Sequence, residues 1–200
     1  MTRSRAILAA TSIAAAAALL VAGCDDDPPA TPSPEPSASS TGSDASPSAS
    51  PSASSVVVAP ERPKAMDDDG PAGAEAAAVY FLELDPYIMG TGDTTEYKAM
   101  SLKSCEFCAN RLDQAKELSD ENLTWDGGTV TAEVTHTYEQ DAVTGIWPID
   151  IDAVISAVSV TDPSGDEVFA DPQTRTKYRV EIAKAKGKWQ VVGVADQPKS

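Results

Sequence analysis

Histidine is nearly missing from this chain, and aromatic rings and positive charge are scarce. There is one His in 200 residues, 6% aromatics, and 15 Lys and Arg against 31 Asp and Glu, a formal net charge of −16. A single His136 leaves little room for histidine-centred catalysis or metal binding. The negative charge repels nucleic acid and anionic lipid headgroups, so no nucleic-acid partner is expected. There is no G-x-S-x-G, no phosphate loop and no H-E-x-x-H, so no cofactor, metal or catalytic residue is assigned. No apolar run reaches the roughly 20 residues that a membrane-spanning helix needs.

The 15 prolines that are present are unevenly spread, and they divide the chain into three regions. Residues 1–23 read as a signal peptide: Arg3 and Arg5, then an apolar run from Ala6 to Ala22. The tetrad Val21-Ala22-Gly23-Cys24 resembles a bacterial lipobox. The resemblance implies a diacylated Cys24 at the mature N-terminus, hence a membrane partner through that anchor and an extracytoplasmic location. Residues 24–60 hold the cysteine and a Ser/Pro/Ala/Thr/Asp segment with nothing large and apolar before Val56. Such a segment cannot bury enough surface to offset its chain entropy and is expected to be a disordered tether. Its ends would lie roughly 30 Å apart as a coil and up to about 110 Å apart when extended.

Residues 61–200 are the expected folded domain. "GPAGAEAAAVYFLEL" places Ala74, Ala77, Ala78, Phe81 and Leu84 at helical spacing. Asp67 to Asp69 stand before that helix, where negative charge meets its positive end. Asp85-Pro86 is expected to kink or restart the helix, a short second helix follows Asp93, and a third begins at Ser104. After Asn122 the apolar period falls from 3.6 to 2. "TVTAEVTHTYEQ" sets Val130, Ala132, Val134, His136 and Tyr138 on one face. "GIWPIDIDAVISAVSV" reads as one long strand whose phase slips near Ala153 and Val154, the mark of a β-bulge. Hairpin turns follow at Pro163–Gly165 and Lys186-Gly187, with Lys184, Lys186 and Lys188 making a solvated basic tip. Helices first and antiparallel strands after give an α+β domain, about three helices packed on one curved sheet.

Two resemblances follow from these residues. The helix order, the bent sheet and the last strand "GKWQVVGV" resemble the NTF2-like cone, with four to six strands. "RPKAM", "YIMGTGDTTEYKAM", "SCEFC" and the later Gly pair resemble an uncharacterised actinobacterial lipoprotein family, a domain of unknown function. That family has Asn-Tyr-Ala-Tyr-like residues where this chain has Asp85-Pro86-Tyr87-Ile88. The resemblances imply a fold and a location but no activity.

Cys105 and Cys108 are spaced C-x-x-C. Outside the membrane this spacing favours a disulfide, worth about 2 kcal/mol at most for so short a loop. A thiol-redox site is the sharper alternative, because a helix N-terminus lowers a thiol pKa. Zinc lacks its four ligands. Tyr80, Tyr97, His136, Tyr138 and Trp147 are candidate lining for a pocket inside the cone, with Trp125 and Trp189 as further aromatics. The expected role is a non-enzymatic module in the cell envelope that binds a small apolar ligand or another envelope protein. An NTF2-like enzyme of isomerase or dehydratase type, or a redox partner using the C-x-x-C, is the alternative.

Overall fold

The computed structural model describes residues 57–197. Cys24, the expected signal peptide and the expected tether up to Val56 lie outside the described residues. A short 3-10 turn, Lys64–Asp67, leads into α1, Pro71–Thr91. Then come α2, Thr95–Met100, and α3, Glu106–Asp120. Seven strands follow: β1 (Thr124–Gly127), β2 (Val130–Thr137), β3 (Ile146–Ile155), β4 (Val158–Thr161), β5 (Glu167–Asp171), β6 (Thr174–Ala185) and β7 (Lys188–Asp196).

The single curved sheet of an NTF2-like cone does not form. The strands divide into two antiparallel sheets, one ordered β1-β4-β5 and the other β2-β3-β6-β7. The helices accordingly do not lie on one sheet: α1 packs against strands of both, and α3 against α1 and β7. The reason is a corner. β1 pairs with β4 and β2 pairs with β3, so both ladders must change sheet at the same place. That place is Gly127–Thr129 on one side and Ser156-Ala157 on the other. It is stitched by Gly128 N to Ala157 O at 3.1 Å and Ser156 N to Thr129 O at 2.9 Å.

The phase slip in "IDAVISAVSV" is therefore a change of sheet, not a bulge. β3 keeps unbroken register with β6 from Ile146 to Ile155. The bulge sits on β2 instead, between Val134 and His136. Val130, Ala132 and Val134 face the core. The extra residue Thr135 then shifts the phase, so that His136 lies opposite Asp150 and is exposed. The expected common face for Val134, His136 and Tyr138 is thus broken in the middle.

α1 begins with Pro71 at its first position, where a missing N–H costs nothing. Asp68 Oδ1 accepts from Gly70 N at 2.7 Å. The helix ends at Gly92, whose φ of 71° lets its N–H reach Ile88 O. Pro86 does not restart the helix, which runs through it to Thr91. A proline inside a helix costs about 3 kcal/mol. Burying Ile88 and Met89 beyond it contributes about 2 kcal/mol each, enough to hold the last turn. α3 is capped by Cys105 rather than by Ser104: Cys108 N donates to Cys105 Sγ at 3.1 Å. Lys184 is not a solvated tip; it reaches back to Asp69 Oδ1 at 2.6 Å and Asp68 O at 3.1 Å.

Candidate functional site

The corner between the sheets leaves a cleft of about 210 Å³ under the helices. α1 supplies Phe81, Leu82 and Asp85, α2 supplies Tyr97, and α3 supplies Phe107, Arg111 and Gln114. Gly128, Val130, Ile155 and Val158 form the floor where the chain changes sheet, and Phe169, Asp171 and Tyr178 lie across the opening strands.

Tyr97 is the most constrained of these groups. It is 0% exposed and its ring stacks on Phe81 at 4.3 Å between centroids. Its placement follows from the "YIMGTGDTTEY" block. Tyr87 Oη donates to Asp93 Oδ2 at 3.1 Å, Thr91 Oγ1 donates to Tyr87 O at 2.7 Å, and Thr95 N donates to Asp93 Oδ1 at 3.1 Å. This hydrogen-bonded turn reverses the chain and drives Tyr97 inward. This stretch, one of those that carry the family resemblance, is thus a positioning device.

Among the described residues the Tyr97 hydroxyl has no hydrogen-bond partner. Burial pushes its pKa far above the tyrosine range, and the charge of Asp85 adds to the rise. The charge of Arg111 partly offsets the rise, and Tyr97, Arg111 and Tyr178 line the same cleft. A buried hydroxyl without a partner costs about 1–3 kcal/mol. Tyr97→Phe is therefore expected to raise stability by about 1 kcal/mol, read as a higher thermal midpoint. A lower midpoint would mean that the hydroxyl is already satisfied.

Beside it, Arg111 Nε donates to Asp85 Oδ1 at 2.7 Å, and Nη2 donates to Asp85 Oδ2. Nη1 donates to Gln114 Oε1 at 2.5 Å. Burial alone would lower the Arg111 pKa, but the bonds to Asp85 and its charge raise it. Burial likewise raises the Tyr178 hydroxyl pKa. The cleft thus presents apolar rings, the hydroxyls of Tyr97, Tyr178 and Thr174, the Gln114 amide, the Asp171 carboxylate and the Asp85–Arg111 charge pair, and of these polar groups Tyr97 is the one fully buried.

Of the five aromatic candidates named from sequence, the cleft collects Tyr97 alone. Tyr80 is buried in the core on α1, and Trp147 is half-buried on the core side of β3 with its Nε1 unpartnered among the described residues. His136 and Tyr138 lie on the opposite side of the larger sheet, their rings 4.3 Å apart. There Arg179 Nε donates to Asp150 Oδ1 at 2.7 Å, and Tyr138 Oη donates to Asp150 Oδ2 at 3.1 Å. The bond from Arg179 holds the Asp150 carboxyl below the usual range; burial opposes it and the Tyr138 bond adds to it. A carboxylate kept charged in this way is a poor general base at neutral pH.

Asp85, Arg111 and Tyr178 were missed because no local pattern links residues so far apart. One signal existed: Phe107, Arg111 and Gln114 recur at spacings of four and three, one face of a helix. Cys105 and Cys108 are joined by a disulfide and are 2% and 1% exposed. Among the described residues no group of three or more His, Cys, Asp and Glu comes together to hold a metal. No described helix is long and apolar enough to cross a membrane.

A family model matches residues 46–195, that of a family of unknown function, DUF6318. No curated protein matches the sequence. Among solved structures, the intermembrane space region of chloroplast protein ARC6 is similar, with 15% identity and a TM-score of 0.51. The match covers 63% of this chain and 95% of that one, a likeness of fold. A periplasmic fragment of TraM matches more loosely, at 9% identity and a TM-score of 0.38, over 63% of this chain and 96% of that one. Aln2 from a Streptomyces species is similar at 14% identity and a TM-score of 0.34, over 57% and 82% of the two chains.

Proposed function

The chain belongs to this family of unknown function, and from that premise we propose that it is an extracytoplasmic module, lipid-anchored through Cys24, that binds a small apolar ligand in the cleft at the sheet corner. The location rests on the Val21-Ala22-Gly23-Cys24 tetrad behind a basic start and an apolar run. The binding role rests on one observation, the aromatic-lined cleft of about 210 Å³. An apolar cavity of about 150 Å³ already holds benzene, so a one- or two-ring molecule matches this volume.

The redox alternative has little to support it, because both cysteine sulfurs are buried with their residues in the disulfide. A second reading, an envelope-protein partner, is favoured by β5 at the edge of the smaller sheet. Val168 and Phe169 there are 55% and 49% exposed beside a groove of about 160 Å³.

Toluene tests the ligand reading. The full chain carrying Cys24→Ser, and so free of acyl chains, is expected to bind one toluene with a Kd on the order of 1 mM, within the limit for so few atoms. Trp125 lines the cleft whereas Trp147 and Trp189 do not. The fluorescence change on binding should therefore vanish in Trp125→Phe. Absence of saturable binding would overturn the reading.

A further inference from the structure

The unpartnered hydroxyl narrows what the cleft is built to hold. A ligand made only of hydrocarbon would leave the Tyr97 oxygen, 0% exposed and without a partner, as unsatisfied as before. Its neighbours are equally telling. Arg111 has five N–H donors, and three of them go to Asp85 and Gln114. The remaining two have no partner in those bonds, yet the guanidinium charge is already balanced by Asp85 in a two-bond pair. A second carboxylate, Asp171, borders the same cleft, and the chain as a whole carries a net charge of −16. An anionic ligand would therefore meet a cancelled cation and an excess of like charge.

We infer that the ligand is a small neutral ring compound bearing one hydrogen-bonding oxygen, a phenol, alcohol or ketone, with that oxygen against the Tyr97 hydroxyl and the Arg111 edge and its apolar body on Phe81, Phe107 and Trp125. This rests on the cleft reading above and adds to it the polarity and charge of the ligand. The hydroxyl serves both kinds of oxygen, because it donates to a carbonyl and either donates to or accepts from another hydroxyl. A hydrogen bond to the buried Tyr97 hydroxyl discriminates strongly between ligands, and apolar size discriminates weakly.

The test compares three probes of one shape: toluene, p-cresol and p-toluate. They are titrated at pH 7 against the full chain carrying Cys24→Ser, with and without Tyr97→Phe. At that pH a phenol is neutral and a benzoate is ionised. Tyr97→Phe keeps the ring that stacks on Phe81 and removes no hydrogen bond, so the variant should fold. It is expected to weaken p-cresol about tenfold, the size of one neutral hydrogen bond, and to leave toluene within about twofold. p-Toluate is expected to bind the unchanged site at least about tenfold more weakly than p-cresol, by like-charge repulsion. Should p-cresol be insensitive to Tyr97→Phe, or p-toluate match it, the inference fails while toluene binding upholds the cleft. If no probe binds, cleft and inference fail together.

Discussion

Gly127→Ala should destabilise the domain by about 3–4 kcal/mol, the sum of a left-handed backbone forced on a side chain and a clash in a packed corner. Gly127 has φ 83°, and a Cβ built on it would lie 2.0 Å from Ala157 O. That oxygen cannot retreat, because it accepts from Gly128 N at 3.1 Å and belongs to the link by which β3 becomes β4. Both ladders change sheet here, so a shift would open the cleft floor and unpair Gly127 from Val158. Against a typical total of about 5–15 kcal/mol the loss is severe, and it should lower the thermal midpoint by roughly 10 °C. Gly165→Ala is the control: its φ is 89°, but nothing lies within 4 Å of its added Cβ. It should cost only the conformational part, about 1–2 kcal/mol. Equal losses for the two variants would show that backbone strain alone acts and that the corner is not tightly packed.

Cys24→Ser is expected to move nearly all of the protein from the membrane fraction to the soluble fraction. Stable anchoring takes about two acyl chains, each methylene contributing about 0.8 kcal/mol. In the proposed anchor the one N-terminal cysteine carries both chains. Little else would hold the protein: the net charge of −16 is repelled by anionic headgroups. An uncleaved leader could retain the serine variant by itself, so a chain starting at Asp25 behind an unrelated cleavable leader serves as a second variant. The Asp25 chain should be recovered soluble and at the mass of the chain without its leader. Membrane retention of the Asp25 chain would rule out lipid on Cys24 as the anchor.

The contrast between these two positions follows the way the chain stores information. The Ala-rich α1 and the turn at Lys186-Gly187 are written in contiguous residues and so are legible without a fold, as is the pattern ending at Cys24 on which the proposed anchor rests. So is the disulfide, since three residues at a helix start bring Cys105 and Cys108 together. The helix break expected at Pro86 was a local rule overridden by burial of Ile88 and Met89, which only the packed core supplies.

The sheet architecture was not legible for a different reason. "IDAVISAVSV" shows a loss of phase, and a bulge and a change of sheet disturb a period of two in the same way. Only the pairing partners decide between them, and those partners, β1 for β4 and β2 for β3, lie well upstream. The single residue inserted on β2 then turned His136 and Tyr138 out of the core. The cleft is a product of that same corner. Its hydroxyl comes from α2, its ion pair joins Asp85 to Arg111 across 26 positions, and its floor comes from β2, β3 and β4 with Gly128. The sequence by itself determined short-range features, the Ala-rich start of α1, the Cys105–Cys108 spacing and the Lys186-Gly187 turn, because those depend on neighbours in the chain. The tertiary structure alone decided that two sheets meet at Gly127 and leave a buried, unpartnered Tyr97 hydroxyl there, because burial and pairing are properties of residues far apart in sequence.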